Sequence, residues 1–316
     1  MKNACMLMVA LVVVVVSQEA RAGDTAERQA IQAVSRGRVL NQSVVPALMR
    51  KRGPGNAERL ADVLETLPSV VRLDGTAERR DNGGSISLAS SAHWFVTVGS
   101  EGDHFDYRDE DLANAPVWDQ APGMPLDELI AQGRAVLEGP LAPLVALEPS
   151  EKLVAIHSSQ EVRGVRDNRG ALLAETVAVN VIEFARSVND VPVLGNGSRV
   201  RLGFSPRGEL VSLDADWPRY KVLPAQRLAV ATPQTVAARE TAIREHLGVP
   251  TTMSTSHFEC GYLDNGRSTL LQPGCRVVVR DGDHGEARAF RVPAAEVPAN
   301  DPTWSEIGVL LRGGVQ

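Results

Sequence analysis

The stretch Ser198–Trp217 constrains the fold more than any other part of this chain. Along Ser198–Ser205 the apolar residues Val200, Leu202 and Phe204 alternate with Arg199 and Arg201. Along Glu209–Trp217 the residues Val211, Leu213, Ala215 and Trp217 alternate with Ser212, Asp214 and Asp216. Successive side chains of a strand point to opposite faces, so a period of two gathers each apolar set on one face and each charged set on the other. Pro206-Arg207-Gly208 supplies the turn between the two runs. The pair therefore reads as an antiparallel hairpin with one buried and one solvated face. Trp217 continues the inward series and is expected to be buried.

Other segments carry weaker versions of the same pattern. Ile86–Ser90 and His93–Gly99 are short β-rich runs, Ser100-Glu101-Gly102-Asp103 reads as a hairpin turn, and His104–Arg108 is the return strand. Lys152–Ser158 and Ala171–Ser187 precede the central hairpin. Val191–Leu194 follows Asn189-Asp190 and is cut short by Gly195-Asn196-Gly197. Thr251–Leu263, Arg276–Arg280 and Ala287–Val292 come last, with Asp281–Gly285 as a hairpin tip.

Helical periodicity appears in between. Residues 23–67 read as mainly helical. Within them Ala57–Leu67 puts Leu60, Val63, Leu64 and Leu67 on one face before Pro68 stops it. Leu126–Leu137 has Leu129, Ile130, Val136 and Leu137 as its apolar side. Pro233–Leu247 is framed by Thr232 as N-cap, Pro233 at the first helical position and Gly248 at the end. A helix followed by antiparallel strands thus occurs twice. The expected fold class is α+β: two helix-plus-antiparallel-sheet units preceded by a helical N-terminal segment. The expected boundaries are 1–22 for an export signal, 23–85 for the helical segment and linker, 86–225 for the first unit and 226–316 for a smaller second one.

The export signal rests on the first residues. Lys2 precedes an apolar block from Met6 to Val16, too short to span a bilayer as a helix. Ala20-Arg21-Ala22 then offers small residues where a signal peptidase needs them, so cleavage is expected after Ala22. Cys5 lies before the apolar block, which argues against lipid attachment. The chain has 33 basic and 39 acidic residues, and removing Lys2, Arg21 and Glu19 leaves 31 against 38. An acidic protein has no general attraction for nucleic acid or anionic lipid. No later segment reads as a membrane span. The expected location is periplasmic or secreted, and the expected partner is another extracytoplasmic protein.

Cys260 and Cys275 are the cysteines left after that cleavage. Each lies in a strand-like run, with the turn Asp264-Asn265-Gly266 between them. Disulfides persist outside the cytoplasm, so the two are read as one bridge between neighbouring strands. A loop of this size contributes roughly 3 kcal/mol in the chain-entropy picture. His257 and Glu259 stand nearby without a zinc-ligand spacing.

The order of elements and the run from Val181 to Trp217 resemble the PepSY and fungalysin/thermolysin-propeptide group of secreted domains. Asp190-Val191-Pro192-Val193, Gly195 and Gly208-Glu209 match that group's turn, "G-x-P-V", glycine and "dG" features, with Asp190 where a glycine is usual. Cys260-Gly261-Tyr262 and Leu271-Gln272-Pro273-Gly274-Cys275 resemble a C-terminal segment of secreted bacterial proteins of no assigned function. The resemblance covers about half of the chain after residue 22. It implies a non-catalytic module that binds or masks a protease, or acts in the cell envelope. No protease domain follows in this chain, so a propeptide role in cis is not expected; inhibition or chaperoning in trans, or an unrelated role, is.

Chemistry-bearing patterns are few. There is no G-x-S-x-G elbow, S-x-x-K, H-E-x-x-H, P-loop or strand-linked G-x-G-x-x-G. Asp103, Asp106, Asp109, Glu110 and Asp111 form an acidic run without the spacing of an EF-hand, and it reads as a solvated loop. Asp214 and Asp216 lie opposite Arg199 and Arg201 across the hairpin, and cross-strand ion pairs account for them. The leading expectation is therefore a secreted, non-enzymatic binding module, a protease inhibitor or envelope-associated protein, that binds through the sheet face around Arg199, Arg201, Asp214 and Asp216 or along an edge strand such as Ala287–Val292. No catalytic residue, cofactor or metal ligand is assigned. The alternatives are a secreted enzyme with a site near His93, Asp103, His104 and Asp106, and a structural envelope protein.

Overall fold

A computed structural model describes residues 15–18, 44–114, 123–166, 172–195, 197–230, 244–245, 248–249, 254–264, 266, 269–280, 287–293 and 308–310. The strands are β1 (Val15–Gln18), β2 (Val44–Arg50), β3 (Ala77–Asn82), β4 (Ser85–Ser90), β5 (Trp94–Val98), β6 (His104–Asp109), β7 (Glu151–Arg166) and β8 (Leu172–Val188), then β9 (Val191–Gly195), β10 (Arg199–Phe204), β11 (Leu210–Asp216), β12 (Tyr220–Ala229), β13 (Ser254–Asp264), β14 (Leu270–Arg280), β15 (Ala287–Pro293) and β16 (Gly308–Leu310). The helices are α1 (Asn56–Thr66), α2 (Glu110–Asn114) and α3 (Leu126–Glu138).

All the strands among the described residues join in one sheet, including β1, which lies within the segment 1–22 expected to be an export signal and yet pairs with β7. Its main path runs β12-β2-β14-β13-β9-β8-β10-β11-β6-β5-β4-β3, with β7 and β1 branching from β8 and β15 and β16 from β14. The pairings are antiparallel except for β9 against β13.

This architecture corrects the expected fold class. Among the described residues the chain is not two helix-plus-sheet units behind a helical N-terminal segment but a single mixed sheet with few helices. Val44–Arg50 falls in the part expected to be helical, yet it is β2, set between β12 and β14. Ala47 and Leu48, on opposite faces of β2, are both buried, as is Val45, so the strand keeps no clear polar face and no period-two alternation marks it. Tyr220–Ala229 and Ala77–Asn82 are also strands that periodicity did not disclose. The signal-cleavage position, the helix Pro233–Leu247 apart from Arg244 and Glu245, and the tip Asp281–Gly285 lie outside the described residues.

The central hairpin forms as its alternation requires. Val200 faces Ala215 and Leu202 faces Leu213. One detail departs from expectation. Gly203 pairs with Ser212 but Phe204 with Leu210, so Val211 is the extra residue of a bulge. Leu210 therefore joins Leu213 in the main core, while Val211 packs with Ala113, Ala178, Val179 and Val181 on the opposite face. Trp217 is buried, 4% exposed.

The main core lies on one face of the sheet. Leu60 and Val63 of α1, packed on β4 and β5, and Leu129 and Leu137 of α3, packed on β7 and β8, cover Val96, Phe105, Ile182, Phe184, Val200 and Leu202. A second apolar cluster surrounds the disulfide and contains Val45, Leu48, Val191, Val193, Tyr262, Leu271 and Val277. Cys260 and Cys275 sit directly opposite on β13 and β14, with Cα atoms 4.0 Å apart, and are bonded. No helix among the described residues is long and apolar enough to cross a membrane.

Candidate functional site

The outer face of the central strands is where the charged parity of each strand emerges. Two rows cross it. In the first, Arg199 of β10 lies opposite Asp216 of β11, which lies opposite His104 of β6. In the second, Glu183 of β8, Arg201, Asp214 and Asp106 stand side by side. α2 covers the neighbouring part of this face, over Val179, Val181 and Val211, and of the two rows Arg201, Asp214, Asp216 and His104 are the more exposed members, Arg199 and Glu183 the more covered.

Within the rows, ion pairing does not follow register. Arg201 faces Asp214 across the ladder, but its guanidinium pairs with Glu161 of β7 at 3.7 Å. Arg199 likewise reaches Glu183, at 2.8 Å. The aspartates gather instead around His104. Its Nδ1 lies 3.2 Å from Asp216 Oδ1 and 3.8 Å from Asp214 Oδ1, and its Nε2 lies 3.6 Å from Asp106 Oδ1. Asp106 and then Asp216 raise the imidazole to about 10, against the effect of burial. Burial raises the Asp214 carboxyl above its ordinary range, with His104 pulling the other way.

The hairpin β5–β6 does not collect His93, Asp103, His104 and Asp106 into one place. His93 sits at its far end and meets Asp111 at 3.0 Å in solvent. Asp103 turns inward, 6% exposed, and accepts a hydrogen bond from Arg50 Nη2 at 2.9 Å. Only His104 and Asp106 remain neighbours.

Asp103 belongs to a buried polar network that periodicity does not announce. Arg50 bridges Asp103 and Asp264, and the Tyr220 hydroxyl donates to Asp264 and lies 3.1 Å from the Gly197 carbonyl oxygen. Alongside, Arg186 pairs with Glu151 at 3.1 Å, both all but sealed from solvent. The cue for Arg186 lay in its parity: it occupies the inward series Ile182, Phe184, Arg186, Val188. Burial lowers its pKa, against the pull of Glu151. This network fastens β2, β8, β12 and β13 to the loop before β6. The recess beside it, lined by Pro54, Arg59, Asp103, Leu144, Trp217 and Arg219, encloses about 10 Å³, room for one water molecule.

The geometry thus sets a buried, structural group of charges apart from the exposed group of Arg201, Asp214, Asp216 and His104, with Arg199 and Glu183 largely covered between them. Comparison of the chain with protein-family models, with curated proteins and with solved structures finds no match.

Proposed function

We propose that this chain is an exported, non-enzymatic binding protein that offers the outer face of β8, β10, β11 and β6 to another extracytoplasmic protein. The observation that carries this reading is the solvent-facing group Arg201, Asp214, Asp216 and His104, with Asp106 beside them, on neighbouring strands whose other face is covered by α1 and α3. Charges of both signs held on neighbouring strands fix the register of a partner and steer its approach. The disulfide between Cys260 and Cys275 and the apolar block Met6–Val16 support an extracytoplasmic setting. The resemblance to PepSY-type and propeptide modules makes a secreted protease the partner class to try first.

The test places a photo-crosslinking residue at Arg201 and, as control, at Glu78 on β3, and exposes each protein to a panel of secreted metalloproteases. A crosslinked complex from position 201 but not from 78, weakened by Arg199→Glu with Asp214→Lys, is expected. No complex and unchanged proteolysis across the panel would remove the inhibitor form of the reading.

A further inference from the structure

We propose that His104, Asp214 and Asp216 form a binding site for a divalent first-row transition-metal ion, with zinc as its simplest occupant. The inference stands apart from the protein-binding reading and does not need it.

One ligand atom from each of the three residues lies within 4.8 Å of the other two. Zinc holds nitrogen and carboxylate oxygen at about 2.0–2.2 Å, so two ligands on a tetrahedral ion are roughly 3.4 Å apart. The imidazole Nδ1 stands 3.2 Å from one carboxylate oxygen and 3.8 Å from the other.

The backbone holds them there. His104 and Asp216 are directly opposite on β6 and β11, and Asp214 is the next outward residue of β11. Both strands lie in the interior of the sheet, so the spacing is fixed by ladder hydrogen bonds rather than by a loop.

Charge points the same way. The cations that register provides, Arg199 and Arg201, are drawn off to Glu183 and Glu161. Asp106, Asp214 and Asp216 are left sharing one imidazole. A metal ion at Nδ1 would replace the proton that this nitrogen shares with Asp216. Asp106 at Nε2 then falls in the position of the carboxylate that commonly orients a metal-bound histidine from behind. One imidazole and two carboxylates suit zinc and its neighbours and leave a coordination position for water. No spacing motif reveals such a set, because its members are brought together by the pairing of β6 with β11, more than a hundred residues apart in sequence.

The experiment is a calorimetric titration of the untagged, chelator-stripped protein with zinc chloride, followed by cobalt(II) with its visible absorption recorded. One equivalent of each is expected, with cobalt bands of a nitrogen–oxygen site. His104→Ala and Asp216→Asn should each weaken zinc binding by more than about tenfold, and Asp106→Asn by about 10–100-fold. His93→Ala should leave it unchanged. Circular dichroism checks that each variant is folded, and Asp214→Asn replaces any that is not. Absence of saturable binding, or binding that survives both His104→Ala and Asp216→Asn, overturns the proposal.

Discussion

The guanidinium carbon of Arg186 lies 3.9 Å from the centre of the Trp217 ring, and the same guanidinium is held by Glu151. Tyr220 stacks against it as well, at 4.9 Å. A cation this deep is tolerated because a carboxylate and two π faces replace the water it has lost. Removing the carboxylate should be costly. Glu151→Gln strands a buried charge, and a loss of about 3–5 kcal/mol is expected in urea unfolding. Lys152→Gln is the comparison, since it breaks the exposed pair with Asp190 and should change stability by about 0–1 kcal/mol.

Trp217 itself closes the end of β11 beneath this cation. Trp217→Ala should cost about 3–5 kcal/mol, from lost burial and the cavity left behind. Chemical denaturation followed by circular dichroism measures it. A change under about 1 kcal/mol would mean that the ring does not carry the packing described.

The Cys260–Cys275 bond closes a loop with a sequence separation of 15. A non-reduced digest should yield the two cysteine peptides as one linked mass. The Cys260→Ser, Cys275→Ser pair of substitutions should lower stability by roughly 3 kcal/mol. Two freely alkylated thiols in protein taken from its native compartment would refute the bridge.

The three tyrosines of the chain, Tyr107, Tyr220 and Tyr262, are all buried. Burial raises each phenol: Tyr262 to about 12, Tyr107 and Tyr220 further, the last also because it faces Asp264. In the unfolded chain they ionise near ~10. A folded pKa above the unfolded one means a contribution to stability that is complete below about 10 and is lost as pH rises through the folded values. Absorbance near ~295 nm should therefore show almost no phenolate in the native protein at pH values where the urea-unfolded chain is already titrated. Ordinary titration of even one tyrosine in the native protein would contradict the burial.

How much of this was legible depends on the kind of strand. β10 and β11 sit with one face in the core and one in water, so Arg199, Arg201, Asp214 and Asp216 declare the outward parity directly. Asn189-Asp190, which marks only a break between two runs in the sequence, is a two-residue hairpin turn in the structure, where both residues take positive φ, 50° and 63°. β2 has no such signature, because the sequence VVPALMR is enclosed on both sides and carries Pro46 at the point where its pairing with β12 shifts. The shift at Val211 was hidden too, since a bulge moves one residue across the sheet without altering composition. At the candidate site the two aspartates could be read from alternation. Their meeting with His104 could not, because it depends on β6 joining β11 rather than some other strand.

The position of β2 also bears on the order in which the molecule can assemble. Its neighbours are β12 and β14, and Arg50 at its end reaches Asp264, 214 positions further along the chain. Contacts that far apart carry a loop-closure cost that must be met before they give anything back, and they slow folding. Synthesis runs from the N-terminus, so β2 has no partner strand until β12 and then β14 have been made. The sheet therefore closes around β2 late, and until then Val45, Ala47 and Leu48 lack the cover they have in the folded chain.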